Sequence, residues 1–309
     1  MMKKLLTMIA FISIVAVMAA CTSESGSSTD EDEKRLAILT PYLSSVTTKQ
    51  MVDELEENAE EKGWSTNVVD TNGDVGALAS RMEDVISSNV DAIVLVSTDP
   101  NQVETQIQQA SERGIHVFGS DASYIEGMTL NVTSDNQAMS ETITDYLLEQ
   151  MGGEGNLIVF THRPHPGVLQ RSIKLDEMLE ANPDINVITE QEIQVPGPIE
   201  DSRQQMENLL LANAEDDSIT AVWAAWDEPA IGAAQAIEAA NRENIIVTGI
   251  DGNSQALDMI QAGSPVQATV EQNFIGMAQI VIEQMEHVFN GEDVEDTEMY
   301  APAELITAD

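Results

Sequence analysis

Short apolar runs rich in β-branched residues alternate along this chain with longer stretches in which apolar side chains recur at helical spacing. The short runs predict strands at Leu36–Thr40, Ser65–Val69, Ala92–Val96, His116–Ser120, Leu157–Phe160, Asn186–Thr189, Thr220–Ala224, Ile245–Ile250 and Gln267–Val270. The stretches between them predict helices over about 46–62, 75–88, 101–113, 137–151, 168–181, 200–213, 228–241, 253–262 and 274–290. Gly63, Gly114, Gly152-Gly153 and Gly291 fall where those helices should stop, because glycine accepts the left-handed conformation that closes a helix. Strand–helix–strand units imply parallel sheets with right-handed crossovers and helices on both faces. The alternation restarts near Asn136 after a full set of strands. The fold class is therefore α/β, two Rossmann-like lobes in tandem, a reading that rests on element count and length because no internal repeat is visible.

Before Lys34 the pattern changes. Lys3 and Lys4 precede an apolar stretch, Leu5–Val17, that is too short for a stable membrane span. Met18-Ala19-Ala20-Cys21 then puts small residues directly before the only cysteine. This resembles a bacterial lipoprotein cleavage box. Residues 1–21 would be a signal peptide, Cys21 would be acylated as the mature N-terminus, and the polar stretch 22–33 would be a flexible tether. The folded part would then lie outside the cytoplasmic membrane and be anchored to it, in a periplasm or on an outer face. An ordinary secretory signal with an incidental cysteine is the other reading. With Cys21 lipidated no cysteine is left for a disulfide, so stability must come from packing.

Charge narrows the functions further. Thirteen Lys and Arg stand against 54 Asp and Glu, a net charge of −41, and loss of Lys3 and Lys4 makes it two units more negative. Such a chain repels nucleic acid phosphates. The acids are spread along helical faces, as in Asp53–Trp64, which reads as a salt-adapted surface of a halophile. They form no calcium-binding loop pattern. No G-x-S-x-G, Walker loop, H-E-x-x-H or strand-following G-x-G-x-x-G is present, so no enzyme is expected.

In open parallel sheets a ligand binds beyond the carboxyl ends of the strands. Those ends carry Tyr42, Ser44 and Ser45; Ser97, Thr98 and Asp99; Asp121; Thr161 to His165; Trp226 and Asp227; Asp251; and Glu271 to Asn273. Carboxylates, amides, hydroxyls and one indole suit a ligand with several hydroxyl groups and an apolar C–H face. Asp227, Asp251 and Asp121 could instead cap the helices that follow them. His162, Arg163 and His165 form a positively charged loop with two histidines and no third metal ligand in view, so neither a metal nor another cofactor is expected.

The same strand ends carry a family likeness. RLAILTPYLSS, DAIVLVSTDPNQV, GIHVFGSDAS, LNVTSDNQAMS, ITAVWAAWDEPAIGAAQAI, NIIVTGIDGNSQALDMI and VQATVEQNFIGMAQ together resemble the ribose/galactose-type (type 1) periplasmic sugar-binding proteins of ABC importers, from about Arg35 to Asp309. The resemblance implies two lobes joined by a three-strand hinge: 35–136 with 273–300, and 137–272 with 301–309. It implies capture of a sugar, polyol or similar small polar metabolite by hinge closure, a membrane permease as partner, and a monomer. A sensory protein presenting a sugar-like signal to a receptor is the alternative. Asp121 and Asp251 fall on the family's two sugar aspartates and Gln272 on its hinge glutamine. Thr47 and Thr48 stand where ribose binders have phenylalanines, Ala122 and Leu169 stand where they have arginines, and Trp226 replaces an asparagine. The ligand-contacting set expected from both arguments is Tyr42, Ser45, Thr47, Asp121, His162, Arg163, Trp226, Asp251 and Gln272.

Overall fold

The computed structural model describes residues 33–308. The expected signal peptide, Cys21 and the expected tether up to Asp32 lie outside the described residues. Two six-stranded sheets organise the described residues. The first is ordered β11-β5-β4-β3-β1-β2, with β1 Arg35–Thr40, β2 Ser65–Asp70, β3 Ala92–Val96, β4 His116–Ser120, β5 Leu130–Thr133 and β11 Glu298–Tyr300. The second is ordered β12-β10-β9-β8-β6-β7, with β6 Gly155–Thr161, β7 Ile185–Glu192, β8 Ala221–Ala224, β9 Ile246–Asp251, β10 Val266–Gln272 and β12 Ala303–Thr307. Pairing is parallel except where β12 joins β10.

The period of two explains why the central strands form. Leu36 and Ile38 of β1, with Ala92, Val94 and Val96 of β3, enter one apolar layer. Ala37, Leu39, Ile93 and Leu95 enter the layer on the opposite face. Strands covered on both faces must be apolar throughout, and all of β3 is buried. The first layer is closed by helices α1 (Val46–Glu61) and α9 (Phe274–Phe289). The second is closed by α2 (Leu78–Ser87) and α3 (Glu104–Glu112). In the other sheet Trp223 on β8 is fully buried and donates its indole N–H to Thr144 at 3.1 Å.

The chain crosses between sheets three times. It leaves the first sheet after β5 into α4 (Asn136–Met151), returns from β10 into α9, and crosses again from β11 to β12. Helices α5 (Pro166–Ala181), α6 (Pro198–Ala212), α7 (Asp227–Ala239) and α8 (Ser254–Gln261) complete the second lobe. Two predicted helices begin differently. Val75–Ala77 and Pro100–Val103 are 3-10 turns, each preceded by an aspartate whose side chain accepts a backbone N–H. Strands β5, β11 and β12 were not foreseen, because LNVT, EMY and AELIT are too short to show a period.

Candidate functional site

The carboxyl ends of both sheets face one cleft, which holds a cavity of about 50 Å³ lined from both lobes. Tyr42 and Ser45 come from the β1–α1 loop, Thr47 and Thr48 from the first turn of α1, and Asp121 follows β4. Opposite them stand His162 and His165 after β6, Arg171 on α5, Trp226 and Glu228 at the start of α7, and Asp251 at the end of β9. Phe274 at the start of α9 closes the hinge side.

Backbone strain marks the site. Ser97, Asp121 and Asp251 have φ of +52°, +53° and +136°. Such conformations cost energy in non-glycine residues and persist where the surroundings enforce them. They turn three polar side chains off the strand ends, Ser97 and Asp121 into one set of contacts and Asp251 into another. Ser97 donates to Asp121 Oδ2 at 3.0 Å, and the Thr48 and Ser97 hydroxyls lie 3.5 Å apart.

The histidines have assignable protons. Nδ1 of His165 accepts from the Gly167 and Val168 amides, so it carries no hydrogen. Its Nε2–H therefore points at Asp121 Oδ2, 3.4 Å away. His162 is the reverse tautomer. Its Nδ1 lies 3.1 Å from the Ile193 carbonyl and 2.8 Å from Glu192, both acceptors, so Nε2 accepts from the Tyr42 hydroxyl at 3.2 Å. Burial, then the neighbouring His165, lowers the His162 pKa to about 4 despite the Ile193 carbonyl. His162 is thus neutral at pH 7, and its contact with Glu192 is a hydrogen bond rather than an ion pair. Burial likewise pushes the Tyr42 hydroxyl up to about 12, helped by Glu192 and Asp99.

Among the described residues Arg171 is the only arginine or lysine lining the cavity. Its Nε donates to Asn136 at 2.8 Å, and one terminal nitrogen donates to the Ala225 carbonyl at 2.8 Å and reaches Asp251 at 3.4 Å. Asp251 Oδ1 also accepts from Gln272 at 2.7 Å, while Thr47 faces its Oδ2 at 3.5 Å. Burial raises the Asp251 carboxyl to about 8; Arg171 opposes this, and Asp227 and Asp121 reinforce it. Burial acts the same way on Asp121, but the His165 hydrogen bond and the His165, Arg171 and Ser97 contacts outweigh it, and its pKa falls below the usual value. Asp121 is an ionised carboxylate whose Oδ1 is buried without a hydrogen-bond partner.

The cleft thus gathers Tyr42, Ser45, Thr47, Asp121, His162, Trp226 and Asp251 around one cavity, with Gln272 immediately behind Asp251. Arg163 does not join them. It is held outside by Glu190 and Asp176 at 2.7 and 3.1 Å and faces a separate depression beside Asp135 and Gln170. The expectation that its charge reaches the ligand is corrected: in so acidic a chain, the nearest carboxylates claim it first. Trp226 lines the cavity, but its N–H is committed to Glu228 at 3.2 Å, so it offers the indole ring and not a free donor. Asp227 is turned away from the cavity to accept from Thr269 and the Asn253 amide, each at 2.7 Å, in space left by Gly249.

Sequence reasoning missed Glu228 and Arg171 as lining residues. Glu228 sits among many helix-start acids and nothing in spacing distinguishes it. The signal for Arg171 was a cation less than two turns into α5, a helix that begins at the cleft.

Facing strand ends, three chain crossings and a polar cavity between lobes define an α/β binding protein of the two-lobed kind. The chain belongs to the periplasmic binding protein domain family, whose pattern matches residues 36–293. It is 26% identical over 314 residues to the ribose import binding protein of Bacillus subtilis (strain 168), covering 99% of each chain. It is 24% identical over 276 residues to a xylitol-binding protein of Mycolicibacterium smegmatis, covering 88% of this chain and 76% of that protein. A solved ABC transporter solute-binding protein from Agrobacterium vitis with bound allitol superposes with a TM-score of 0.83 at 27% identity, covering 89% of this chain and 96% of the other. The resemblance to type 1 sugar-binding proteins of ABC importers, and the two-lobed fold it implied, both hold. The family is one of binding proteins, not enzymes.

Proposed function

We propose that this protein captures a neutral polyhydroxy compound, a sugar or polyol, between its lobes and delivers it to an ABC permease outside the cytoplasmic membrane. Cys21 is its lipid anchor, and it works as a monomer without cofactor or metal. The hinge is the set of three crossings, dividing the chain into 35–136 with 273–300 and 137–272 with 301–309. Tyr42, Ser45, Thr47, Asp121, His162, Trp226 and Asp251 contact the ligand, Gln272 supports Asp251 from the hinge, and Arg171 is added to the set.

One observation carries this reading. Asp121 Oδ1 is a buried acceptor with no protein partner, in a cavity whose only cation has hydrogen bonds through Nε and one of its two terminal nitrogens. A buried acceptor left unsatisfied costs free energy, and a hydroxyl supplies the missing donor. Adjacent hydroxyls of one ligand can donate to Asp121 and accept from Arg171. The ionised Asp121, with two more carboxyl groups, Glu228 and Asp251, against one guanidinium, disfavours sugar acids and sugar phosphates. Hinge closure follows because a ligand touching both lobes selects the closed form.

A thermal-shift screen tests this with pentoses, hexoses, their polyols, sugar acids and amino acids. A true ligand at a hundred times its Kd adds about 2.7 kcal/mol of stability. The expected result is stabilisation by neutral polyols or sugars alone. Stabilisation only by anionic or amino-acid ligands overturns the proposal.

A further inference from the structure

We propose that Glu228 is a latch between the lobes, a positioning residue that holds the cleft closed through the N-terminus of α1. The inference rests on the hinge-closure reading above. Glu228 belongs to the second lobe, in the first turn of α7, and is buried. Its Oε2 accepts from the Ser45 hydroxyl of the first lobe at 2.8 Å. Burial pushes the Glu228 carboxyl above its usual range, and the Ser45 hydroxyl, the Trp226 indole and the Val46 amide of the first lobe pull it back.

Ser45 is the N-cap residue of α1, yet its side chain makes no capping bond to its own helix, and α1 has no acidic residue in its first turn. A helix N-terminus carries a partial positive charge and unpaired N–H groups that favour a carboxylate. Here that carboxylate comes from the other lobe. Arg171–Asn136 at 2.8 Å sits on the first chain crossing itself, and away from the crossings the remaining side-chain contacts between lobes are weaker in kind. Tyr42–His162 at 3.2 Å joins neutral groups, and His165–Asp121 at 3.4 Å and Thr47–Asp251 at 3.5 Å are long. The Ser45–Glu228 bond is the shortest of the four and is assisted by a charge, which makes it the strongest. Opening the cleft would strip Glu228 of its first-lobe partners and leave the N-terminus of α1 with none of its own. The latch thus biases the equilibrium toward closure before any ligand contact is counted. A larger closed fraction raises apparent affinity in proportion.

The test is a distance measurement without ligand. Spin labels are placed on exposed positions of each lobe, Glu57 on α1 and Leu211 on α6, in a Cys21→Ser background, and pulsed electron resonance reads their separation. Wild type should give predominantly one short distance. Glu228→Ala should raise the population of a longer distance roughly ten- to a hundredfold, the scale of losing hydrogen bonds to a charged group. Ser45→Ala, which leaves α7 untouched, should move the same way by less, and this guards against a misfolded Glu228 variant. Distributions of Glu228→Ala and Ser45→Ala matching wild type overturn the latch, as does a wild type already dominated by the long distance. A further variant, Tyr42→Phe/Thr47→Ala/His165→Ala/Glu228→Ala, removes all four contacts. If even this keeps a single short distance, the lobes do not hinge and the functional proposal fails with the latch. If it opens while Glu228→Ala does not, only the latch fails.

Discussion

Neutralising Asp251 should make the protein more stable and a poorer binder. The residue ends β9 at φ +136°, fully buried, with its carboxyl pushed from 3.8 to about 8 by burial and by the neighbouring Asp227 and Asp121 against the pull of Arg171. Gln272 and Arg171 both donate to Oδ1, so the extra proton sits on Oδ2, facing Thr47. The folded state then binds more protons than the unfolded chain between these two pKa values. Stability from this group is fully present below the unfolded value and is lost as pH rises through the folded one. At 1.36 kcal/mol per unit the ceiling is on the order of 5 kcal/mol. Asp227, itself raised to about 6, competes for the same proton, which brings the expected effect down to a few kcal/mol, or several degrees of melting temperature in a chain of this size. We expect Asp251→Asn to melt higher than wild type at pH 8, the two curves converging near pH 4. The comparison belongs in 1 M KCl, because acidification also relieves repulsion among the surface acids, and the difference between the two proteins isolates Asp251. The reasoning is refuted if Asp251→Asn melts lower than wild type at pH 8 with a parallel pH profile. That would mean an ionised Asp251 held by Arg171.

Asp121→Ala should weaken binding of the screened sugar or polyol by about 1.5–3 kcal/mol, ten- to a hundredfold or more, because it removes an ionised, buried acceptor that lines the cavity and waits for a donor; wild-type affinity by calorimetry would remove Asp121 from the site. Arg163→Gln should bind within threefold of wild type, since its charge is spent on Glu190 and Asp176. Melting temperature should rise between 0.05 and 3 M KCl as salt screens a net charge of −41, and a flat profile would count against salt adaptation. Cys21→Ser should be exported yet released from membranes, and retention after a high-salt wash would overturn the lipid anchor.

The central parallel strands β1, β3, β6, β8 and β9 were legible because each holds an apolar run bounded by a helix of the right length; β3, AIVLV, can hardly be anything but a central strand. The strand-end residues followed from topology alone, which is why Asp121, Trp226 and Asp251 could be named before any geometry. The short edge strands β11 and β12 carry no period and are formed by pairing partners distant in sequence. Charge assignments were the least legible. Arg163 looked free to meet a ligand and Arg171 did not, and only the fold shows that the first faces outward among carboxylates while the second is buried against the cavity. Proton placement on His162 and His165 depends on which backbone groups lie within 3.3 Å of each ring nitrogen, which no spacing in the sequence encodes.

Helix α7 lies between its sheet and α6, and a methyl group at Gly232 would collide with Ser202 and the Ile199 carbonyl. The helix that carries Trp226 and Glu228 is therefore clamped with less slack than one carbon atom, and Gly232→Ala would have to shift it bodily. A rack held this tightly cannot adjust to each guest. The second lobe behaves as a fixed die, and a new guest is accommodated by recutting the side chains at its rim.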